Sequence, residues 1–226
     1  NSVTAGTGND SITATGGANT IDSGAGLNVI TLGGGANAVT GGADADRITT
    51  TSGTNVINAG EGTDTVQLNG GFNTVNAQAG VDTITASNGH NTIDAGEGAD
   101  NITLSGGDNS VQGNSGSDSI TATGGTNVID GGLDSDTITL NGGTNTVFGG
   151  AGIDTLTAVS GNNTIDAGEG ADILILSGGQ NSVQGNAGAD SITATGGVNT
   201  ILAGEGLNTI TLNGGTNTAT GGSEAD

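Results

Sequence analysis

NTIDAGEGADNITLSGGDNSVQ, residues Asn91 to Gln112, contains one full turn of an 18-residue repeat, and the rest of the sequence is near-copies of it. Steps of eighteen from Asn91 meet Asn1, Asn19, Asn37, Asn55, Asn73, Asn109, Asn127, Asn145, Asn163, Asn181, Asn199 and Asn217 without a miss. Strict self-similarity at a short fixed period marks a solenoid. Each 18-mer divides into two nine-residue halves, a tight turn followed by a short alternating run. Gly96-Glu97-Gly98-Ala99-Asp100 turns into the strand Asn101-Ile102-Thr103-Leu104. Ser105-Gly106-Gly107-Asp108-Asn109 turns into Ser110-Val111-Gln112. Glycine permits the positive φ of such turns, and period-2 alternation with β-branched residues marks the strands.

Composition alone would suggest disorder: 48 Gly, two Phe, no Trp or Tyr, and a formal charge of −22 over 226 residues. The periodicity points the other way, because it puts the aliphatic residues at fixed phases. After the Asp come Ile12, Ile30, Ile48, Val66, Ile84, Ile102, Ile120, Ile138, Leu156, Leu174, Ile192 and Ile210. After the Asn come Val3, Ile21, Val39, Ile57, Val75, Ile93, Val111, Ile129, Val147, Ile165, Val183 and Ile201, with Ala219 breaking the row. A third inward row alternates in size, as in Ala86, Leu104, Ala122 and Leu140, and gives a 36-residue unit. The expected fold is all-β: a right-handed parallel β-roll or β-solenoid of about 12 coils, 18 residues and two short strands per coil. Residues 1–226 read as one continuous segment without Pro or linker, expected to be an excerpt of a longer repetitive protein.

The two edges differ in chemistry. The first turn stacks Asp10, Asp46, Asp64, Asp82, Asp100, Asp118, Asp136, Asp154, Asp172, Asp190 and Asp226, with Asn28 and Asn208 as the breaks. Carboxylates about 4.8 Å apart repel by roughly 1 kcal/mol per neighbour even in water. A cation must compensate. Calcium fits, since it takes six to eight oxygen ligands from carboxylates and carbonyls in flexible loops, whereas zinc prefers His or Cys. The chain has one His and no Cys. The first ten of these Asp residues, Asp10 to Asp190, are therefore the candidate Ca²⁺ ligands.

Gly6-Thr7-Gly8-Asn9-Asp10-Ser11-Ile12, Gly96-Glu97-Gly98-Ala99-Asp100-Asn101-Ile102 and Gly168-Glu169-Gly170-Ala171-Asp172-Ile173-Leu174 resemble the RTX, or haemolysin-type, calcium-binding nonapeptide G-G-x-G-x-D-x-U-x. The resemblance recurs along the whole chain. It implies a parallel β-roll with Ca²⁺ between successive turns, held by the Asp carboxylates and loop carbonyls. It also implies type I secretion from a bacterium and folding on meeting extracellular calcium. Departures from the pattern sharpen the expectation. The second half of each coil reads G-G-x-N, as in Gly106-Gly107-Asp108-Asn109, and a neutral amide lacks the charge that compensates calcium for its lost water. A single calcium row is expected on the Asp edge, and opposite it an Asn ladder bonded from coil to coil. Gln78, Asn114 and Asn186 replace one turn glycine; Asp44, Asp134 and Glu224 replace the other. Glu61, Glu97, Glu169 and Glu205 recur beside the Asp column and read as solvated loop residues.

Outward on the first strand lie Thr13, Thr31, Thr49, Thr85, Thr103, Thr121, Thr139, Thr157, Thr193 and Thr211, with Gln67 and Ile175 as exceptions; Thr65, Thr83, Thr137, Thr155 and Thr209 form a broken second rank. T-x-T ranks on a β-solenoid resemble ice-binding proteins, although Thr is also an ordinary exposed strand residue. With Arg47 the only basic residue, nucleic acid and anionic lipid are unsuitable partners. No apolar run approaches the roughly 18 residues that span a bilayer. His90, Phe72 and Phe148 are read as isolated, and no nucleophile–base constellation converges, so no enzyme is expected. The leading expectation is a Ca²⁺-stabilised extracellular structural segment of a bacterial surface protein: a spacer, filament, surface-layer or adhesin element. Its partners would be calcium ions and neighbouring copies in lateral or end-to-end assembly; the alternative is an ice-binding solenoid.

Overall fold

The structure is a computed structural model that describes residues 1–222; Glu224 and Asp226 of the turn columns lie outside them. Strands from the two halves of the repeat alternate along the chain, 23 in all among the described residues. Each pairs in parallel with the strand one coil away, shifted by eighteen residues. Ile84 faces Ile102 and Ile102 faces Ile120 on the Asp-half strands. Ile93 faces Val111 and Val111 faces Ile129 on the Asn-half strands. The chain is thus an all-β parallel solenoid of about 12 turns with 18 residues per turn.

The Asn-half strands are longer than the alternation suggests. The run expected at Ser110 to Gln112 extends over Asp108–Ser115, because its pairing continues into the acidic turn: Asn114 faces Gly132 and Ser115 faces Leu133. Every coil turns after the same number of residues, so turns stack on turns and keep the backbone ladder; Gly98 N donates to Ser115 O at 2.8 Å. At Thr137–Ala151 and Thr155–Glu169 the pairing runs through both halves as one strand.

The expected aliphatic rows form the core, and residues such as Ile30, Ile48, Val66, Ile84, Ile102, Ile129 and Leu174 are fully buried. Burying such a side chain contributes roughly 1.5–3 kcal/mol. The large–small row is buried as well, at Leu68, Ala86, Leu104, Ala122, Leu140 and Ala158. Val3 is 37% and Leu212 44% exposed, and Ile12 and Ile210 are only partly covered. A fourth inward row continues the strand alternation two residues beyond the Ile/Val row: Ala59, Ala77, Ala95, Ala167 and Ala203 are fully buried at the phase that leads into the acidic turn. Gly113, Gly131, Gly149 and Gly185 share that phase. Core and acidic turn are therefore contiguous.

Candidate metal centre

The acidic turn is shaped by residues at the fourth and second positions before the Asp, which are glycine in most coils. Gly96 and Gly98 have φ of 105° and 131°. A Cβ at Gly98 would lie 1.5 Å from Gly80 O, and one at Gly96 1.8 Å from Gln78 O. Turn carbonyls of one coil thus point at the bare Cα atoms of the next. Gln78, Asn114, Asn186 and Asp134 accept positive φ at these phases without being glycine. Several of the residues that replace a turn glycine are tied down by their own side chains. Asp44 Oδ2 accepts from Gly26 N at 2.8 Å, Asp134 Oδ2 from Gly116 N at 3.2 Å, and Asn114 Nδ2 donates to Asp94 Oδ1 at 2.6 Å.

All ten predicted ligands fall in one column on this edge. Asp46, Asp64, Asp82, Asp100, Asp118, Asp136, Asp154, Asp172 and Asp190 are at most 2% exposed, while Asp10, near the end, is partly exposed. In each of the nine, Oδ1 accepts a hydrogen bond of 2.7–2.9 Å from the backbone N–H of the residue eighteen before it. Their second oxygen, Oδ2, is buried and has no hydrogen-bond partner, and the same holds for Asp10. At Gly113, Gly131 and Gly185 an added Cβ would come within 2.3–2.5 Å of the Oδ2 of Asp118, Asp136 and Asp190, so Oδ2 rests against the turn backbone.

Buried acceptors without donors are costly. Burial pushes the Asp82 and Asp136 carboxyls up to about 7 and those of Asp64, Asp118 and Asp172 up to about 6, from an ordinary 3.8. The backbone N–H bond pulls each back in part, and neighbouring carboxylates in the column push it further up. Asp46, Asp100, Asp154 and Asp190 are raised for the same leading reason. Ten unpaired carboxylate oxygens beside aligned carbonyls form an all-oxygen donor set, which suits a hard cation such as Ca²⁺. No point among the described residues gathers three His, Cys, Asp or Glu side chains. With one carboxylate per coil, backbone carbonyls would have to complete the shell of any bound ion.

The opposite edge is closed by hydrogen bonds between its own amides. From Asn1 to Asn217, each Asn Nδ2 donates to the Oδ1 of the Asn eighteen residues on, at 2.6–2.8 Å, over twelve consecutive steps. The second Nδ2 hydrogen reaches back to a turn carbonyl three residues before, as from Asn109 to Gly106 O at 3.1 Å. The amide ladder expected from the sequence is present throughout.

Matches to the model of the RTX calcium-binding nonapeptide repeat (4 copies) tile the sequence: 4–39, 31–66, 40–75, 68–102, 76–111, 103–138, 139–174, 148–183, 175–210 and 193–226. The chain belongs to the RTX calcium-binding repeat family. No curated protein matches it over its sequence. Among solved structures, this RTX chain is similar to a hyperactive, Ca²⁺-dependent, β-helical antifreeze protein from an Antarctic bacterium. The TM-score is 0.76 and the identity 19%, over 96% of this chain and 81% of that one. Such a likeness bears on the fold.

Other sequence-predicted positions fall as follows. Glu61, Glu97, Glu169 and Glu205 are all exposed. Phe72 and His90, read as isolated, are in fact stacked, with ring centroids 4.8 Å apart, and His90 Nδ1 lies 3.1 Å from Asp108 Oδ2. Their eighteen-residue spacing was the signal that could have paired them. On the strand face, Thr85, Thr103, Thr121, Thr139 and Thr157 stand in direct register, and Ile175 follows them.

Proposed function

We propose that this RTX segment is a calcium-stabilised extracellular structural rod of a bacterial surface or secreted protein, and that it folds on binding Ca²⁺. The observation that carries this reading is the column of buried, unpaired Oδ2 atoms at Asp10, Asp46, Asp64, Asp82, Asp100, Asp118, Asp136, Asp154, Asp172 and Asp190. These ten residues would hold a single row of ions, the turn carbonyls completing each shell. A bound divalent ion would supply the positive charge that lets ionised carboxylates stack. Binding free energy then becomes folding free energy. This chain's own contribution is to place one carboxylate per coil at a fixed height, to hold its Oδ1 by a backbone N–H, and to bury its Oδ2 against the turn backbone. A secreted protein of this kind stays unfolded where calcium is scarce and stiffens where it is abundant. Spacer, filament, surface-layer and adhesin roles all use such a rod.

Titrating calcium into the EDTA-treated protein while following far-UV circular dichroism tests the reading. A coil-to-β transition with about one ion per Asp-bearing coil is the expected result. A fully folded protein that binds no ions would sink it.

A second reading, ice binding, is favoured by one observation. The in-register Thr85-to-Thr157 column presents a regular row of hydroxyls and methyls on a rigid strand face, and the similar solved structure is described as an antifreeze protein. Gln67 and Ile175 interrupt that column. Thermal hysteresis in the calcium-loaded protein that is lost on Thr121→Tyr would support this reading; its absence in the parent would remove it.

A further inference from the structure

Two coils depart from the acidic pattern, and the structure shows what their side chains do instead. Asn28 and Asn208 stand at the Asp phase and are 1% and 4% exposed. Their Oδ1 atoms play the same part as an Asp Oδ1: Asp10 N donates to Asn28 Oδ1 at 3.0 Å, and Asp190 N to Asn208 Oδ1 at 2.8 Å. The other branch differs. Asn28 Nδ2 donates to Gly26 O at 2.8 Å and Gly24 O at 3.3 Å. Asn208 Nδ2 donates to Gly206 O at 3.2 Å and Gly204 O at 3.4 Å. These are the carbonyls two and four residues before the Asp phase, the ones aligned along the acidic edge. An amide nitrogen carries two N–H donors where a carboxylate carries a bare acceptor. At Asp coils the corresponding oxygen, Oδ2, is buried and unpaired. One atom therefore decides whether the turn satisfies its own carbonyls or presents oxygens alone.

We propose that Asn28 and Asn208 are built-in amide replacements for a bound cation, so that the uninterrupted ion row runs from Asp46 to Asp190 and is bounded at each end by a coil that folds without an ion. The inference rests on the calcium reading given above and adds to it the rule that decides which coils load. Between the two amide coils lie nine consecutive carboxylates. An ion in such a row is flanked by other ions, whereas the amide coils present a neutral, internally bonded surface against which the row can stop without an unbalanced charge. Asp10, beyond Asn28, is separated from the row by one neutral turn and would load independently of it.

The test counts ions by equilibrium dialysis and atomic emission and follows folding by circular dichroism, with and without EDTA, in three variants of the full chain. Asn28→Asp should gain about one ion relative to the parent and need several-fold more calcium to fold. Asp118→Asn should lose about one ion yet retain more β-structure in EDTA than the parent, since its new amide can donate to the carbonyls of Asn114 and Gly116. Asp118→Ala should lose the same ion without that gain. Two results overturn the proposal: an unchanged ion count in Asn28→Asp while the parent binds calcium, or Asp118→Asn no better folded in EDTA than Asp118→Ala. Should Asn28→Asp fail to fold, the comparison of the two Asp118 variants decides alone. A parent that binds no calcium at all would instead remove the underlying reading, and the proposal with it.

Discussion

The two edges of this solenoid carry different turns, one bearing Asp and the other Asn, and close their hydrogen bonds differently. On one edge Asn side chains both donate and accept, and twelve steps of hydrogen bonds close on themselves. On the other edge Asp side chains only accept, one oxygen is used, and the second is buried without a partner. The amide edge is complete as a piece of polypeptide. The acidic edge is complete only with something positive in it. On the calcium reading proposed above, a folding switch would be confined to one side of the rod, opposite the amide ladder.

Withdrawing calcium at pH 8 should break the comparison most severely. The acidic edge fails, and because both edges belong to every coil the whole β-signal should disappear from far-UV circular dichroism. A smaller effect should follow from protons. The raised carboxyls bind protons more tightly in the folded state than in the unfolded one, near 3.8. Their stabilising contribution to the ion-free fold is full below about 3.8 and lost as pH rises to about 7. In EDTA, β-structure read by far-UV circular dichroism should therefore return as the pH is lowered from 8 to 5. An equally absent signal at both pH values would mean that protons on these carboxyls do not support the ion-free fold. Calcium addition should release protons near pH 6 and few at pH 8, which a weakly buffered titration would record.

Placing an acid on the amide edge sharpens the contrast. Asn109→Asp removes the donor to Asn127 Oδ1 and Gly106 O and buries a charge between them. It should cost about 2–4 kcal/mol in saturating calcium, as read by urea unfolding. A cost near zero would show that the two edges are interchangeable. The smallest effect is expected at the surface. His90→Ala removes a pair whose side chains are 56% and 59% exposed, and its cost should stay under about 1 kcal/mol in the same assay.

Much of this was legible in the sequence because the period is strict. The eighteen-residue Asn column fixed the coil, and the aliphatic phases fixed what points inward. The Asp phase located the acidic edge residue by residue. Less legible was anything that depends on how turns stack. Ala59, Ala77 and Ala95 follow the short alternating run read from the sequence, and pairing that continues toward the acidic turn keeps them in the strand and buried. Phe72 and His90 looked solitary because aromatic side chains are read as rare singletons, whereas a solenoid makes any two residues eighteen apart into neighbours. Asn28 and Asn208 looked like gaps in a column. Their role depends on which carbonyls the amide nitrogen reaches, and only the folded turn reveals that.

Each Asn Nδ2 donates toward the C-terminal neighbour and never the reverse, so the ladder has a head and a tail. An imagined cut between Asn91 and Asn109 would leave one face offering an N–H and the other a bare oxygen. Backbone N–H groups on the acidic edge point the same way, toward the next Asp Oδ1. The rod is thus polar in the crystallographer's sense: its amide dipoles line up along one direction and reinforce one another from coil to coil.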